Sequence, residues 1–192
     1  LLNLAYPEMN SKIQESYVNH YLESGFLPEW SSPGHRACMV GNNTSSVVAD
    51  AYLSGIRGYD IDILWKAVTA GANSVHPSVD ASGRVGYEYY NELGYVPCDV
   101  GINESAARTL EYAYDDWCIW KLGKALGKSD EELVQYRKNA LNYRNLYDAE
   151  YGLMNGRRSN GEFRRPFNPL KWGGDFTEGN ALQYTWSVFH DV

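Results

Sequence analysis

The stretch Ser105-Ala-Ala-Arg-Thr-Leu-Glu-Tyr-Ala-Tyr-Asp-Asp-Trp-Cys-Ile-Trp-Lys-Leu-Gly-Lys-Ala-Leu126 decides the fold. It contains no proline, and its one glycine falls near its end. Leu110, Ala113, Tyr114, Trp117, Cys118 and Trp120 cover more than one side of a 3.6-residue period, so this helix has neighbours in several directions. Gly127 supplies its stop. A helix of this kind needs other helices around it, and the flanking sequence provides them. Residues 8–23 place Met9, Ile13, Tyr17 and Tyr21 four apart and end at Gly25 and Pro28. A loop through Trp30 and Pro33 leads to Gly41. Residues 44–57 put Val47, Val48, Ala51, Tyr52 and Ile56 on one face, and residues 60–70 open with Asp60 as a helix cap.

Residues 72–102 are rich in glycine and proline and read as loops around one short helix at about 85–93. Ser129-Asp-Glu-Glu132 is a capping box that opens a helix to about Tyr147. Asn155-Gly156 and Asn160-Gly161 predict a small hairpin within 151–171. Residues 178–190 predict a last helix. The order is helix-helix-helix, loops, helix-helix, hairpin, helix, which is an all-α fold with small β-hairpin or loop excursions. Helix pairs joined through elaborate loops suggest a bundle or a toroid. A closed (α/α)6 barrel contains six helical hairpins, and the helices here would make about half of one. Leu1 is not an initiator methionine, and Val192 follows a helix-like stretch with no stop signal. A fragment of a longer chain is therefore expected.

Composition narrows the function. The chain has 192 residues, 44% of them apolar, enough for one domain with a real core. A formal charge of −7 argues against nucleic-acid or anionic-membrane partners. No apolar run is long enough to insert across a membrane. Cys38, Cys98 and Cys118 are too few and too spread for a disulfide framework, and are expected to be small buried hydrophobes. The 16 Tyr and 6 Trp suit either an aromatic helical core or a surface that receives sugars. His20, His35, His76 and His190 form no zinc-type spacing. Asp60 and Asp62 lack the rest of a calcium-binding loop. There is no phosphate-binding glycine loop and no nucleophile elbow.

Two stretches carry the chemistry. In Trp172-Gly-Gly-Asp-Phe-Thr-Glu-Gly-Asn-Ala-Leu-Gln-Tyr-Thr-Trp186, a glycine turn delivers Glu178 to a helix start, near Asp175, Asn180, Gln183 and Trp186. Amides and aromatic rings together match a sugar's hydroxyl edges and apolar faces. A carboxylate at a helix start also suits the helix dipole, so from its position alone Glu178 reads first as a cap, and the polar and aromatic neighbours narrow that lead. The second stretch holds Glu111, Asp115 and Asp116 on an otherwise apolar helix. Glu111 and Asp115 are one turn apart and repel by about 0.2–0.5 kcal/mol. Such a pair points to hydroxyl binding, to an ion, or to a salt bridge with Arg108.

Three stretches resemble the family 92 glycoside hydrolases, calcium-dependent exo-acting α-mannosidases best known from bacteria. They are Asn103–Trp117, Thr177–Trp186 with His190-Asp191, and the looser Gly41–Gly71 block. The resemblance implies part of a catalytic (α/α)6 domain, with a β-sandwich domain upstream and more helices downstream. It implies that Glu178 is the general acid of an inverting hydrolysis of terminal α-linked mannose, α-1,2-linked in the first instance. Asn180, Gln183, Trp186, Glu111, Asp115 and Asp116 would line or support the sugar site. Leu182 stands where the family commonly has Trp, and Ser187-Val188-Phe189 replaces Phe-Val-Pro, which puts the neighbouring pocket wall in doubt. The implied general base and calcium ligands lie beyond this chain, so no metal ligand is assigned within it. Mannose-containing glycans are the implied partners, and a secreted, periplasmic or cell-surface location is implied for the parent protein. Half a barrel would expose apolar helix faces and favour self-association. The alternative is a non-catalytic helical carbohydrate-binding or scaffold module.

Overall fold

The computed structural model describes residues 1–31, 34–36, 38–79 and 82–191. Pro33 and Val192 lie outside them. Helices α1 (Leu2–Ala5), α2 (Pro7–Ser24), α3 (Thr44–Leu53), α4 (Ile61–Ala72), α5 (Tyr87–Leu93), α6 (Ser105–Ala125) and α7 (Asp130–Asn139) come first. A 3-10 turn (Asn142–Leu146), strands β1 (Tyr147–Asp148) and β2 (Leu153–Met154), and the four-residue α8 (Ala181–Tyr184) follow. The chain is mostly helical, as the periodicity predicts.

Helix α6 is the axis, packed against α3, α4 and α7. One core gathers Val18, Val48, Leu64, Val68, Ile119, Leu122 and Leu133 from α2, α3, α4, α6 and α7. Gly123 permits the closest approach, because a Cβ there would stand 2.4 Å from Leu133 Cδ2 and 2.8 Å from Trp65. A second core, under the N-terminal half of α6, joins Tyr95, Ala106, Leu110, Leu146, Met154, Phe176 and Ala181.

The caps behave as read. The Asp60 carboxylate accepts from the Ile63 amide at 3.1 Å. Ser129 and Glu132 close both halves of their capping box. Gly127 is left-handed, and the Lys128 amide returns to the Gly123 carbonyl at 3.0 Å.

Four expectations are corrected. The helix at 44–57 stops at Leu53. The helix from Ser129 ends at Asn139, where the Tyr90 hydroxyl takes the Asn139 carbonyl at 3.1 Å, and a 3-10 turn then carries Leu146 into the second core. Only one Asn-Gly pair turns the chain. Asn160-Gly161 lies between the bridged residues Arg157 and Phe163. Asn155 is instead buried and donates to Asp148 at 2.9 Å, and the β1–β2 turn falls before it. The helix read over 178–190 shrinks to Ala181–Tyr184. There the backbone bonds tighten to the three-residue spacing of a 3-10 turn, the Trp186 amide donating to the Gln183 carbonyl at 3.2 Å and the Ser187 amide to the Tyr184 carbonyl at 3.1 Å. The cysteines correct a further expectation: only Cys118 is buried, whereas Cys98 is half-buried and Cys38, in the loop before α3, is exposed.

Candidate active site

The loop 172–180 and the start of α6 meet over the second core. Phe176 anchors the loop there, at 5% exposure. The Asp175 carbonyl accepts the Ala106 and Ala107 amides at 2.9 and 3.0 Å, and the Glu104 amide donates to the Gly174 carbonyl at 3.0 Å. Amides that an isolated helix would leave without partners are thus satisfied by this loop. On the other side Arg164 grips the Asp175 carboxylate twice, Nε to Oδ2 at 2.5 Å and Nη2 to Oδ1 at 2.9 Å. The Gly173 amide donates to the Gly179 carbonyl at 2.8 Å and closes the loop. The Tyr184 hydroxyl donates to the Thr177 carbonyl at 2.8 Å. Its ring packs on Gly179, where a Cβ would lie 3.0 Å from Cε2.

This frame holds Glu178 in the left-handed region, at φ 48, with its side chain exposed. A non-glycine residue keeps such a conformation only where its surroundings over-determine it. Glu178 is not at the helix start itself, since Asn180 is the cap of α8. Asn180 Oδ1 accepts the Gln183 amide at 3.3 Å, and Gln183 Oε1 accepts the Asn180 amide at 3.0 Å. Those two side chains therefore shape the turn that follows Glu178. Trp186 is 82% exposed and presents an open aromatic face.

The carboxylates of α6 lie at different depths. Glu111 is half-buried; burial pushes its carboxyl up, and the neighbouring Asn43 amide offsets part of this. Asp115 and Asp116 are fully buried. Their cation is Arg84, with Nη1 2.7 Å from Asp116 Oδ1. Arg84 Nε also donates to Asn42 Oδ1 at 2.9 Å. Asn42 in turn donates its backbone amide to Asp115 Oδ2 at 2.9 Å and its side-chain amide to Glu29 Oε1 at 3.0 Å. Burial pushes Glu29 to about 8 and Asp115 to about 7. For Asp116 burial pushes upward against the pull of Arg84, Asn139 and Tyr90. Arg108, the salt-bridge partner expected from sequence, reaches Glu104 at 3.8 Å instead.

Burial pushes the Tyr184 phenol up, the Thr177 bond pulls it down, and the Glu111 and Glu104 carboxylates add smaller upward contributions. Glu29, Asn42, Arg84 and Glu104 were not singled out from sequence. Glu104 shares with Glu178 a left-handed backbone, at φ 59, which only the structure reveals. His190 Nε2 lies 2.7 Å from the Ala140 carbonyl, and Asp191 binds Arg144 and Tyr143, so these two do not form an acid–base pair.

A family model described as the glycosyl hydrolase family 92 catalytic domain matches residues 1–192. The chain belongs to glycosyl hydrolase family 92. It is similar to an inverting family 92 mannosidase of Bacteroides thetaiotaomicron, with 46% identity and a TM-score of 0.93 over 97% of this chain and 25% of that one. A family 92 α-mannosidase of the same organism matches at 38% identity and a TM-score of 0.87, covering 97% of this chain and 24% of that one. An uncharacterized secreted glycosidase of Arthroderma benhamiae is 36% identical over 142 residues, 69% of this chain and 18% of that protein. The chain thus spans about a quarter of the length of these solved family 92 enzymes.

Among the described residues no three His, Cys, Asp or Glu side chains converge to hold a metal ion. Among the same residues no helix is long and apolar enough to cross a membrane.

Proposed function

We propose that this chain is part of the catalytic domain of an exported α-mannosidase, about half of an (α/α)6 barrel, acting on terminal α-linked mannose of glycans. The β-sandwich domain and the remaining helices belong to the same proposal, as parts of the whole enzyme outside this chain. One observation carries the reading: an exposed carboxylate, Glu178, held in a left-handed conformation by a loop that is bonded at Gly173, Gly174, Asp175, Thr177 and Gly179. A general acid needs this combination of access and fixed direction.

In this reaction Glu178 gives its proton to the glycosidic oxygen as the bond to mannose breaks. Water attacks the opposite face and inverts the anomeric centre, activated by a carboxylate about 6.5–9.5 Å away. That base, and any calcium, are assigned to the whole enzyme outside this chain, and no step here runs through the metal. Glu111 accepts a sugar hydroxyl, and Trp186 offers an apolar face. Asn180 and Gln183 hold the turn beside the sugar, while Asp115 and Asp116 support the wall from below.

The test is Glu178→Gln in the whole enzyme, assayed on α-1,2-, α-1,3- and α-1,6-linked mannobiosides. The expected loss of turnover is about 10²–10⁴-fold, with the wild type fastest on the α-1,2 linkage and releasing β-mannose. Unchanged turnover would remove Glu178 from the mechanism. Mannoside binding without any turnover by the wild type would favour a non-catalytic carbohydrate-binding module.

A further inference from the structure

We infer that Arg164 is a positioning residue for the acid, acting through Asp175. The inference rests on the reading of Glu178 as proton donor. Asp175 lies three residues before Glu178 in the same loop. Its carbonyl is fixed by the first amides of α6 and its carboxylate by both arms of Arg164. Arg164 is itself tied to the other wall, since Nη2 donates to the Cys98 carbonyl at 2.7 Å. Gly156 presses on the same carboxylate, where a Cβ would meet Asp175 Oδ2 at 2.3 Å.

Phe176 packs the middle of the loop into the second core, and the clamp holds the stretch just before it, which faces open space. A cavity of about 450 Å³ adjoins residues 173–176, bordered by Cys98, Asn103, Arg164, Lys171, Gly174 and Phe176. Empty space beside that stretch gives its backbone somewhere to move. The two-point Arg–carboxylate bond fixes direction as well as distance, which a single-point cation does not. Without it the 173–177 segment can settle into the cavity, and the Glu178 carboxyl then leaves the leaving-group oxygen. The pair is partly exposed, with side-chain exposures of 41% for Arg164 and 13% for Asp175, so its loss should change the melting temperature little.

A displaced acid fails on leaving groups that need protonation and is spared on those that do not. Arg164→Met in the whole enzyme should therefore lower kcat on a mannobioside by about tenfold or more, and kcat on 2,4-dinitrophenyl α-mannoside by less than about threefold. Asp175→Asn, the other end of the same bond, should show the same split and serves if Arg164→Met does not fold. Equal losses on both substrates, or no loss on either, would overturn the inference. Glu178→Gln is run alongside. If it shows no split, the acid assignment fails; if it shows the split and the Arg164 and Asp175 variants do not, only the clamp fails.

Discussion

Arg84 Nη1 lies 2.7 Å from Asp116 Oδ1, and both side chains are shut off from water. The pair joins the segment before α5 to the middle of α6, and Asn42 extends it to the loop before α3. Removing one member strands the other charge. Arg84→Met is expected to cost about 3–5 kcal/mol of stability. Urea unfolding followed by tryptophan fluorescence measures it, and a loss below about 1 kcal/mol would contradict the account.

The same cluster makes stability depend on pH. Glu29 is pushed to about 8 in the folded chain, against about 4.3 in an unfolded one. Between those values the folded state holds a proton that the unfolded state has lost, so stability falls as pH rises. The benefit is complete below about pH 4 and gone above about pH 8. His20, His35 and His190, lowered by burial, act in the opposite sense on the acid side. The contrast between variants isolates Glu29: Glu29→Gln should be less sensitive than wild type to a change from pH 5 to pH 8. Parallel stability curves for the two proteins would refute this.

Close packing of α6 makes a third expectation. Replacing glycine by alanine inside a helix normally gains about 1 kcal/mol. At Gly123 the new methyl would meet Leu133 and Trp65 inside contact distance. Gly123→Ala should instead lower stability, by about 1–3 kcal/mol. A raised melting temperature would show that α7 can move aside.

Tyr184 ties α8 to the Glu178 loop by a single hydroxyl. Tyr184→Phe keeps the ring on Gly179 and frees the Thr177 carbonyl. Stability should fall by about 0.5–1.5 kcal/mol. In the whole enzyme kcat on a mannobioside should fall more than KM changes. A purely KM-based effect would place Tyr184 in ground-state binding.

The chain by itself should associate. Leu170, Trp172, Trp186 and Phe189 are each more than 60% exposed. Sedimentation of the 192-residue chain should show mass rising with concentration, and mannose release by it should be undetectable. A monodisperse, active monomer would contradict both expectations.

Much of the helical scaffold was legible because its signals are local. The apolar positions of α6, the Asp60 cap, the Ser129–Glu132 box and Gly127 all act within a turn or two of themselves. The 103–117 and 177–186 motifs likewise carried the family resemblance within short windows. The end of the chain misled, because Asn180, Gln183, Tyr184 and Trp186 fall within two turns of a helical period. In the structure α8 lasts four residues and the backbone bonds of Trp186 and Ser187 shorten to 3-10 spacing.

The sequence alone thus determined which residues could do chemistry and which segments would coil into helices. Tertiary structure decided their depth and direction. It paired Asp116 with Arg84, turned Arg108 away from Glu111 and Asp115 to Glu104, buried Asp115 while leaving Glu111 half-open, and fixed Glu178 in a left-handed turn before the helix. Burial, ion pairing and backbone strain of this kind are set by neighbours distant in the chain, which no local pattern encodes.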